Sequence, residues 1–217
     1  MNIRVNRLHF PVTTLGPGQR IGIWLQGCSI GCRGCVSRDT WTADETRSIP
    51  VAGVVDACRR LCPDGPDGIT ISGGEPFEQP AALAALVHEL REWGVELRRD
   101  DLDLLCYSGL TMRTLRAKHR SLLALIDAVI PEPFVEHRPV GGPWRGSDNQ
   151  PVVPLSPLGE RRYGAGTSAD GANPRRLQVD TSDGRLLFIG IPGRGDLERH
   201  RRELADAGIS IEPGWRP

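Results

Sequence analysis

Long hydrophobic runs, net charge and lysine are all scarce in this sequence of 217 residues. The longest unbroken apolar run is 81–87, far shorter than the roughly 20 residues that a membrane-spanning helix needs. Basic and acidic side chains number 27 each, which gives a formal net charge of zero, and Lys118 is the only lysine. A neutral chain lacks the field of a general binder of nucleic acid or of a membrane surface, so we expect neither partner.

The sequence also lacks the features of a secreted protein. Its first residues contain no apolar stretch followed by small residues, so we expect no signal peptide and a cytoplasmic location. In that compartment the six cysteines are expected to be ligands or free thiols rather than disulfides. A chain of this length can bury a core without cross-links, and we expect one domain with at most a small appendage.

Strand-like and helix-like segments alternate through the first 130 residues. Apolar strands are predicted at 20–26, 69–71 and 102–107, and helices at 50–62, from Pro80 to Gly94 and from about residue 111. Such alternation indicates parallel βα units in one α/β domain. Chemistry then belongs at the carboxyl ends of the strands, where Cys28, Ser72 and Tyr107 fall.

The composition changes after residue 131, where Pro, Gly and Arg become frequent and predict a long loop over 131–175. Beyond this loop, the Asp183-Gly184 pair predicts the turn of a β-hairpin. A last helix is predicted over 197–207, capped by Asp196. We therefore divide the chain into a core, residues 1–152, and a C-terminal extension of loop, hairpin and helix, residues 153–217.

The strongest motif is a run of three cysteines, Cys28, Cys32 and Cys35, with the spacing C-x3-C-x2-C. Thiolates are the ligands of choice for iron–sulfur clusters. Three thiolates bind three irons of a cubane and leave the fourth iron open to another ligand. A tight loop around such a cluster needs positive φ angles, which glycine adopts readily. The glycines placed to supply them are Gly27, Gly31 and Gly34.

A structural zinc site is the main alternative for these cysteines. Zinc of that kind takes four protein ligands, commonly in paired knuckles, and the sequence has no second knuckle at a suitable distance. Cys58 and Cys62 stand one helical turn apart and could form half of a second metal site. Because no further pair accompanies them, they are better interpreted as buried thiols, like Cys106 in its strand.

With this cysteine run, the segment Ser72-Gly73-Gly74-Glu75-Pro76 resembles the radical S-adenosylmethionine (SAM) superfamily. The resemblance implies an α/β fold of the partial (β/α) barrel type and a [4Fe–4S] cluster whose open iron chelates SAM. One electron then cleaves SAM to a 5′-deoxyadenosyl radical, with no catalytic side chain beyond the cluster and SAM. The SAM contacts that the resemblance implies are Ser72, Gly73, Gly74, Glu75, Tyr107 and Ser108.

Further motifs resemble the activating proteins of glycyl-radical enzymes, in particular those of anaerobic ribonucleotide reductase. They are Gly16-Pro17-Gly18, Cys32-Arg33-Gly34-Cys35, Tyr107-Ser108-Gly109, and Trp144–Gln150, which is similar to that family's Arg-Gly-Ser-x-Asn-Gln segment. Where those proteins have Asp-Gly before an aromatic residue, this chain has Glu132-Pro133-Phe134. The resemblance implies a glycyl-radical enzyme as partner and a flavodoxin- or ferredoxin-type electron donor.

Two other functions compete with this interpretation. A stand-alone radical SAM enzyme acting on a small molecule or peptide would use residues 153–217 to cover its substrate. A non-catalytic Fe–S electron-transfer or sensor protein would need neither an open iron nor a Gly-Gly-Glu motif, so the sequence disfavours it.

Overall fold

A computed structural model describes residues 1–138, 142–164, 177–182, 185–193 and 195–209. Within these ranges the chain forms one large sheet, a separate hairpin and a set of helices. The strands are β1 (Asn2–Val12), β2 (Arg20–Leu25), β3 (Ser48–Pro50), β4 (Gly68–Gly73), β5 (Asp103–Tyr107), β6 (Ala128–Ile130), β7 (Val153–Pro154), β8 (Leu177–Ser182) and β9 (Arg185–Gly190). The α-helices are α1 (Val51–Leu61), α2 (Pro80–Glu96), α3 (Met112–Lys118), α4 (Arg120–Leu123), α5 (Pro157–Tyr163) and α6 (Asp196–Asp206).

The large sheet has seven strands in the order β3-β1-β2-β4-β5-β6-β7. Its central strands β2, β4, β5 and β6 are parallel, whereas β1, β3 and β7 run antiparallel to their neighbours. The register aligns Leu25 with Gly73 and Ile71 with Cys106, so the carboxyl ends of the central strands lie side by side. The predicted α/β fold with its C-terminal hairpin and helix is confirmed.

Helices α1 and α2 cover one face of this sheet. Their apolar side chains recur every three or four residues and meet the alternate residues of the strands that point to that face. Full burial of each aliphatic side chain contributes about 1.5–3 kcal/mol. The fully buried members include Ile21, Ile23, Ile69, Ile71, Val54, Leu86 and Leu90.

The sequence-based end of α2 is wrong. The helix continues past Gly94 to Glu96, and Gly94 is buried within it, where an added Cβ would meet Leu102 at 3.8 Å, an ordinary van der Waals distance. The chain instead turns at Arg98, which has a left-handed backbone with a φ of 55°.

Strand β1 has no counterpart among the predicted elements. It begins the chain and pairs with both β2 and β3. Polar and apolar residues alternate over residues 2–6, but Arg7 follows Asn6 and breaks the alternation that predicts a strand. Two register irregularities against β2 shift its pattern further.

The C-terminal hairpin lies on the inner face of the sheet, the face that α1 and α2 leave uncovered. Gln178 accepts a hydrogen bond from the Thr13 N–H (3.0 Å) and donates one to the Pro11 carbonyl (2.6 Å). Ile189 packs with Val12, Leu15 and Trp24 in a small apolar cluster. The extension is therefore folded onto the core, although the predicted turn at 183–184 lies outside the described residues.

The last helix begins one residue earlier than predicted. Gly195, with a φ of 81°, precedes α6, and Asp196 is its first residue rather than its cap. The Asp196 carboxylate accepts a hydrogen bond from the Gly193 N–H at 2.7 Å and so fixes the turn before the helix. Among the described residues, no helix is long and apolar enough to cross a membrane.

A buried ion pair closes the amino-terminal end of the inner face. Arg20 begins β2 and Asp103 begins β5, and both side chains are fully buried. Arg20 Nη1 and Nη2 donate to the two Asp103 oxygens at 3.0 and 2.8 Å, and Arg20 Nε donates to Thr70 at 2.6 Å. Such a fork satisfies both charges in a place where an unpaired charge is very costly.

Helix α5 brings two more side chains to this ion pair. Arg162 Nε lies 2.7 Å from an Asp103 oxygen, and the Tyr163 hydroxyl donates to the other. This helix corrects the prediction of a loop throughout 131–175, since Ser156 caps it through the Gly159 N–H. Strand β7 and α5 both follow residue 152 and pack on the main sheet, and the division at that residue stays a prediction.

We expect Asp103→Ala to lower the free energy of unfolding by about 3–5 kcal/mol, because it leaves Arg20 charged and buried without its partner. Urea denaturation followed by circular dichroism measures the change. The matched control is Asp101→Ala, whose carboxylate is 58 % exposed and pairs with Arg99, so its loss should cost at most about 1 kcal/mol. Equal losses in the two variants would contradict a stabilising role for the buried pair.

Candidate functional site

The three cysteines of the predicted cluster motif lie in one loop directly after β2. The loop is tied at both ends by main-chain hydrogen bonds, from Gly27 N to Thr40 O at 2.8 Å and from Cys28 N to Trp41 O at 2.9 Å. The predicted positive φ angles are confirmed at all three glycines of the loop. They are 106° at Gly27, 61° at Gly31 and 79° at Gly34.

The cysteine thiols are free and partly exposed, and each lies near main-chain N–H groups that lower its pKa by hydrogen bonding. Burial raises the pKa of each thiol, and the N–H groups act against that effect by favouring the thiolate. The donors are Gly31 and Ile30 for Cys28, Phe134 for Cys32, and Ser37 for Cys35. A set of three free thiols with N–H donors fits an anionic iron–sulfur cluster, and the assignment of these ligands stays a prediction.

A second hydrogen-bonded contact fixes the loop to the segment after β4. Glu78 Oε1 accepts from both the main-chain N–H and the hydroxyl of Ser29, at 2.8 and 2.6 Å. Because Ser29 follows Cys28, this contact holds the first cysteine beside the Gly-Gly-Glu turn.

The two glycines of that turn lie in close contact with the backbone of β2 and its loop. A Cβ atom on Gly73 would come within 2.5 Å of the Leu25 nitrogen, and one on Gly74 within 2.2 Å of the Gly27 oxygen. Gly73 also has a φ of 98°. The pair is therefore required for close approach to the cysteine loop, in addition to any contact with SAM.

Glu75 is almost completely buried and braces the ends of two neighbouring strands. Its carboxylate accepts from Gly109 N at 2.7 Å, from the Ser108 hydroxyl at 2.9 Å and from Phe77 N at 3.0 Å. Burial raises the pKa of this carboxyl to about 7, against these hydrogen bonds, which favour the ionised form. A direct contact between Glu75 and SAM stays a prediction.

The other predicted SAM contacts divide between the cavity and the framework around it. Ser72 and Tyr107 line the cavity, and the Tyr107 hydroxyl donates to the Trp144 carbonyl at 2.7 Å. Ser108 is buried, and its hydroxyl is engaged by Glu75 and by the Leu110 N–H at 3.0 Å. Ser108 therefore positions the turn after β5, and its contact with SAM stays a prediction.

A cavity of about 690 Å³ opens on the inner face beside the cysteine loop. This volume lies within the range of about 300–1,000 Å³ that is usual for small-molecule sites. One wall is formed by Trp24, Ser72 and Tyr107 on neighbouring strands, and Cys35 lies at its rim. The opposite wall comes from the extension, through Phe188, Ile191 and Leu197.

Sequence analysis missed Arg7 and Trp24 as cavity residues. The Arg7 guanidinium lies 5.3 Å from the centre of the Trp24 ring and forms an ion pair with Asp39 at 2.7 Å. The sequence did offer a signal for Trp24. In β2 the aliphatic residues Ile21, Ile23 and Leu25 occupy one face, so Trp24 and Gln26 fall on the opposite face. Arg7 gave no signal because β1 was not predicted.

The remaining cysteines lie away from this cavity. Cys58, Cys62 and Cys106 are free and buried in the apolar core between the helices and the sheet. In the part of the chain that the structure describes, no three His, Cys, Asp or Glu side chains are grouped as ligands of a single metal ion. A cubane differs from such an ion because each thiolate binds a different iron.

Comparison with known proteins identifies similar sequences. Residues 14–153 match the model of a protein family described as "4Fe-4S single cluster domain". The anaerobic ribonucleoside-triphosphate reductase-activating protein of Vibrio cholerae is 28 % identical over 153 residues, which cover 66 % of this chain and 94 % of that protein. The Pasteurella multocida protein of the same name is 30 % identical over 146 residues, or 62 % of this chain and 87 % of that protein.

A shorter similarity extends to another activating enzyme. The pyruvate formate-lyase-activating enzyme of Staphylococcus aureus is 38 % identical over 90 residues. These residues cover 38 % of this chain and 35 % of that enzyme.

We expect Gly74→Ala to lower the iron content of the protein, because the added Cβ collides with the Gly27 carbonyl and displaces the cysteine loop. Iron per chain and visible absorption after anaerobic reconstitution measure the effect. Gly53→Ala is the matched control, since a Cβ at Gly53 in α1 meets nothing within 4 Å. If Gly74→Ala binds as much iron as Gly53→Ala, the close approach does not support the loop.

Proposed function

This chain belongs to the 4Fe-4S single cluster domain family, and from that membership we propose that it activates a glycyl-radical enzyme of the anaerobic ribonucleotide reductase kind. The observation that carries the proposal is the alignment to the Vibrio cholerae activating protein, which spans 94 % of that relative. The site is consistent with it, because the cysteine loop borders a cavity at the carboxyl ends of parallel strands.

The enzyme uses a [4Fe–4S] cluster and SAM. When bound, the cluster would supply the electron for cleavage of SAM into methionine and a 5′-deoxyadenosyl radical, and that radical would take a hydrogen atom from the substrate. We propose that Cys28, Cys32 and Cys35 ligate the cluster and that the main-chain N–H groups around them stabilise its negative charge.

We propose that SAM occupies the part of the cavity next to the cysteine loop. Ser72 and the turn at Gly73 and Gly74 lie beside Cys28, because Gly74 N donates to the Leu25 carbonyl and Glu75 N to the Gly27 carbonyl, both at 2.8 Å. Tyr107 would bound the same space on the next strand. In this arrangement the chain orients SAM and excludes water, and no side chain has to transfer a proton.

The proposed electron donor is a flavodoxin or ferredoxin, and the proposed location is the cytoplasm, where thiols stay reduced. The cysteine loop offers a route for the donor, because Arg33 on that loop is 96 % exposed. A positive side chain beside the cluster favours encounter with an acidic donor.

A second candidate function is a stand-alone radical SAM enzyme that acts on a small molecule or peptide. The observation in its favour is the wall that Phe188, Ile191 and Leu197 build over the cavity, since these residues lie beyond the family match at 14–153. Such a wall would cover a substrate without help from a partner protein.

Anaerobic reconstitution tests the main proposal. With SAM and a reductant, the protein should form 5′-deoxyadenosine, and a glycyl radical should appear by electron paramagnetic resonance only when a ribonucleotide reductase partner is added. Cys32→Ala is the control and should abolish both signals. Formation of 5′-deoxyadenosine without any radical on the partner would favour the stand-alone enzyme instead.

The cavity wall that the C-terminal extension forms gives a separate prediction about the transfer of the radical to the substrate. Phe188→Ala should keep iron content and SAM cleavage, yet reduce transfer of the radical at least several-fold, because the cavity then holds its substrate less closely. The ratio of product to 5′-deoxyadenosine measures this coupling. The control is Val179→Ala, the residue opposite Phe188 in the hairpin, which is half exposed and does not line the cavity. A coupling ratio that is the same in both variants would argue against a role for the wall.

A further inference from the structure

The segment Trp144–Gln150 packs against a neighbouring loop, and the proposed reaction gives this contact no role. Its last four residues, 147–150, lie against the loop of residues 132–136 that follows β6. Ser147 and Gln150 are buried, although both are polar. Buried polar side chains persist where their hydrogen bonds are satisfied, so their partners indicate what the segment does.

Three side chains of the 147–150 segment each hold a successive part of the 132–136 loop. The Ser147 hydroxyl accepts from the Val135 N–H at 3.1 Å. Asn149 Nδ2 donates to the Pro133 carbonyl at 2.8 Å. Gln150 Nε2 donates to the Glu132 carbonyl at 2.8 Å.

The segment is itself held in one shape. Gln150 Oε1 accepts from the Ser147 N–H at 3.1 Å, and the Gln150 N–H donates to the Ser147 carbonyl at 3.0 Å. The Gln150 side-chain amide therefore links the two parts, because its oxygen binds the 147–150 segment and its nitrogen binds the 132–136 loop. This makes the 147–150 segment a rigid support rather than a mobile cover.

The loop needs such support because its first residue is strained. Glu132 has a φ of 82°, a conformation that residues other than glycine rarely adopt. Its N–H donates to the Leu110 carbonyl at 2.9 Å, and its carboxylate accepts from Met112 N at 2.9 Å. Strained residues persist where several surrounding contacts fix them, and Gln150 supplies one of these contacts.

The other side of the 132–136 loop lies against the cysteine loop. A Cβ atom on Gly34 would come within 2.9 Å of the Glu136 side chain, and Glu136 also lies 3.7 Å from Arg33. The Phe134 main-chain N–H lies close enough to the Cys32 thiol to lower its pKa by hydrogen bonding, against the effect of burial. The Phe134 ring lines the cavity and packs on Gly146, where an added Cβ would lie 3.0 Å away.

We propose that Ser147, Asn149 and Gln150 are positioning residues that hold the 132–136 loop against the cysteine loop and thereby set how readily the cluster is reduced. The proposal rests on the proposed function, because it takes Cys32 to be a cluster ligand. Hydrogen bonds to the sulfur ligands are among the factors that set the potential of an iron–sulfur cluster. A donor at Cys32 stabilises the reduced cluster, which carries one more negative charge, so losing it makes the cluster harder to reduce.

The test compares Asn149→Ala and Gln150→Ala with Asp148→Ala in the reconstituted holoenzyme. Asp148 belongs to the same segment but is 58 % exposed and pairs only weakly, at 3.6 Å, with Arg145. Three readouts are measured: iron per chain, amide hydrogen exchange of Val135 and Glu136, and the midpoint potential of the cluster. We expect faster exchange and a more negative potential in the first two variants, with unchanged iron, and no change in Asp148→Ala.

The rate of SAM cleavage with reductants of different strength distinguishes an effect on the potential of the cluster from a purely structural effect. The two variants should cleave SAM more slowly with a weak reductant and regain the parent rate with a stronger one. If a variant loses iron, Ser147→Ala, which removes one hydroxyl, is measured in its place. Faster exchange without a shift in potential, or a shift equal to that of Asp148→Ala, overturns the inference. Absence of a cluster in the parent protein would instead overturn the proposed function.

Discussion

The buried pair of Arg20 and Asp103 is the constraint on which the arrangement of the sheet depends. Each residue begins a parallel strand, so their hydrogen-bonded fork fixes the amino-terminal ends of β2 and β5 across β4. Asp103 also receives Arg162 and Tyr163 from α5. A buried ion pair tolerates little change in the distance between its two charges, because their Coulomb attraction has to offset the cost of removing both from water. The elements after β6 are thereby tied to the strands that carry the site.

A second polar brace acts at the carboxyl-terminal ends of β4 and β5. Glu75 joins the turn after β4 to the turn after β5 through Gly109 and Ser108, while the glycines before it bring β4 close to the cysteine loop. The two braces differ in chemistry. The amino-terminal one pairs opposite charges, whereas the carboxyl-terminal one offers neutral donors to a carboxylate whose pKa is raised by burial. The cavity lies between them, along the inner face.

Much of the fold and of the candidate site could be predicted because the relevant signals are local. The cysteine run, the positive φ of its glycines and the periodic apolar face of α2 depend on neighbours in sequence. The pairing of β1 with β2 and β3, and the engagement of Glu75 and Ser108 with each other, depend on residues far apart in the chain. The break in alternation at Asn6 and Arg7 concealed β1. The motif match also did not indicate that Glu75 and Ser108 hold the turns after β4 and β5 together.

The cysteine loop lies between solvent and the cavity, and this position connects the two halves of the proposed chemistry. Cys35 lines the cavity, while Arg33 on the same loop is exposed to solvent. In the proposed function, an electron donor would approach the loop from solvent, and SAM and the substrate would occupy the cavity. The 132–136 loop borders both Gly34 and the cavity. Any motion of that loop would alter the surroundings of the cluster and the space for the substrate together, which gives the polar contacts of residues 147–150 an effect on both.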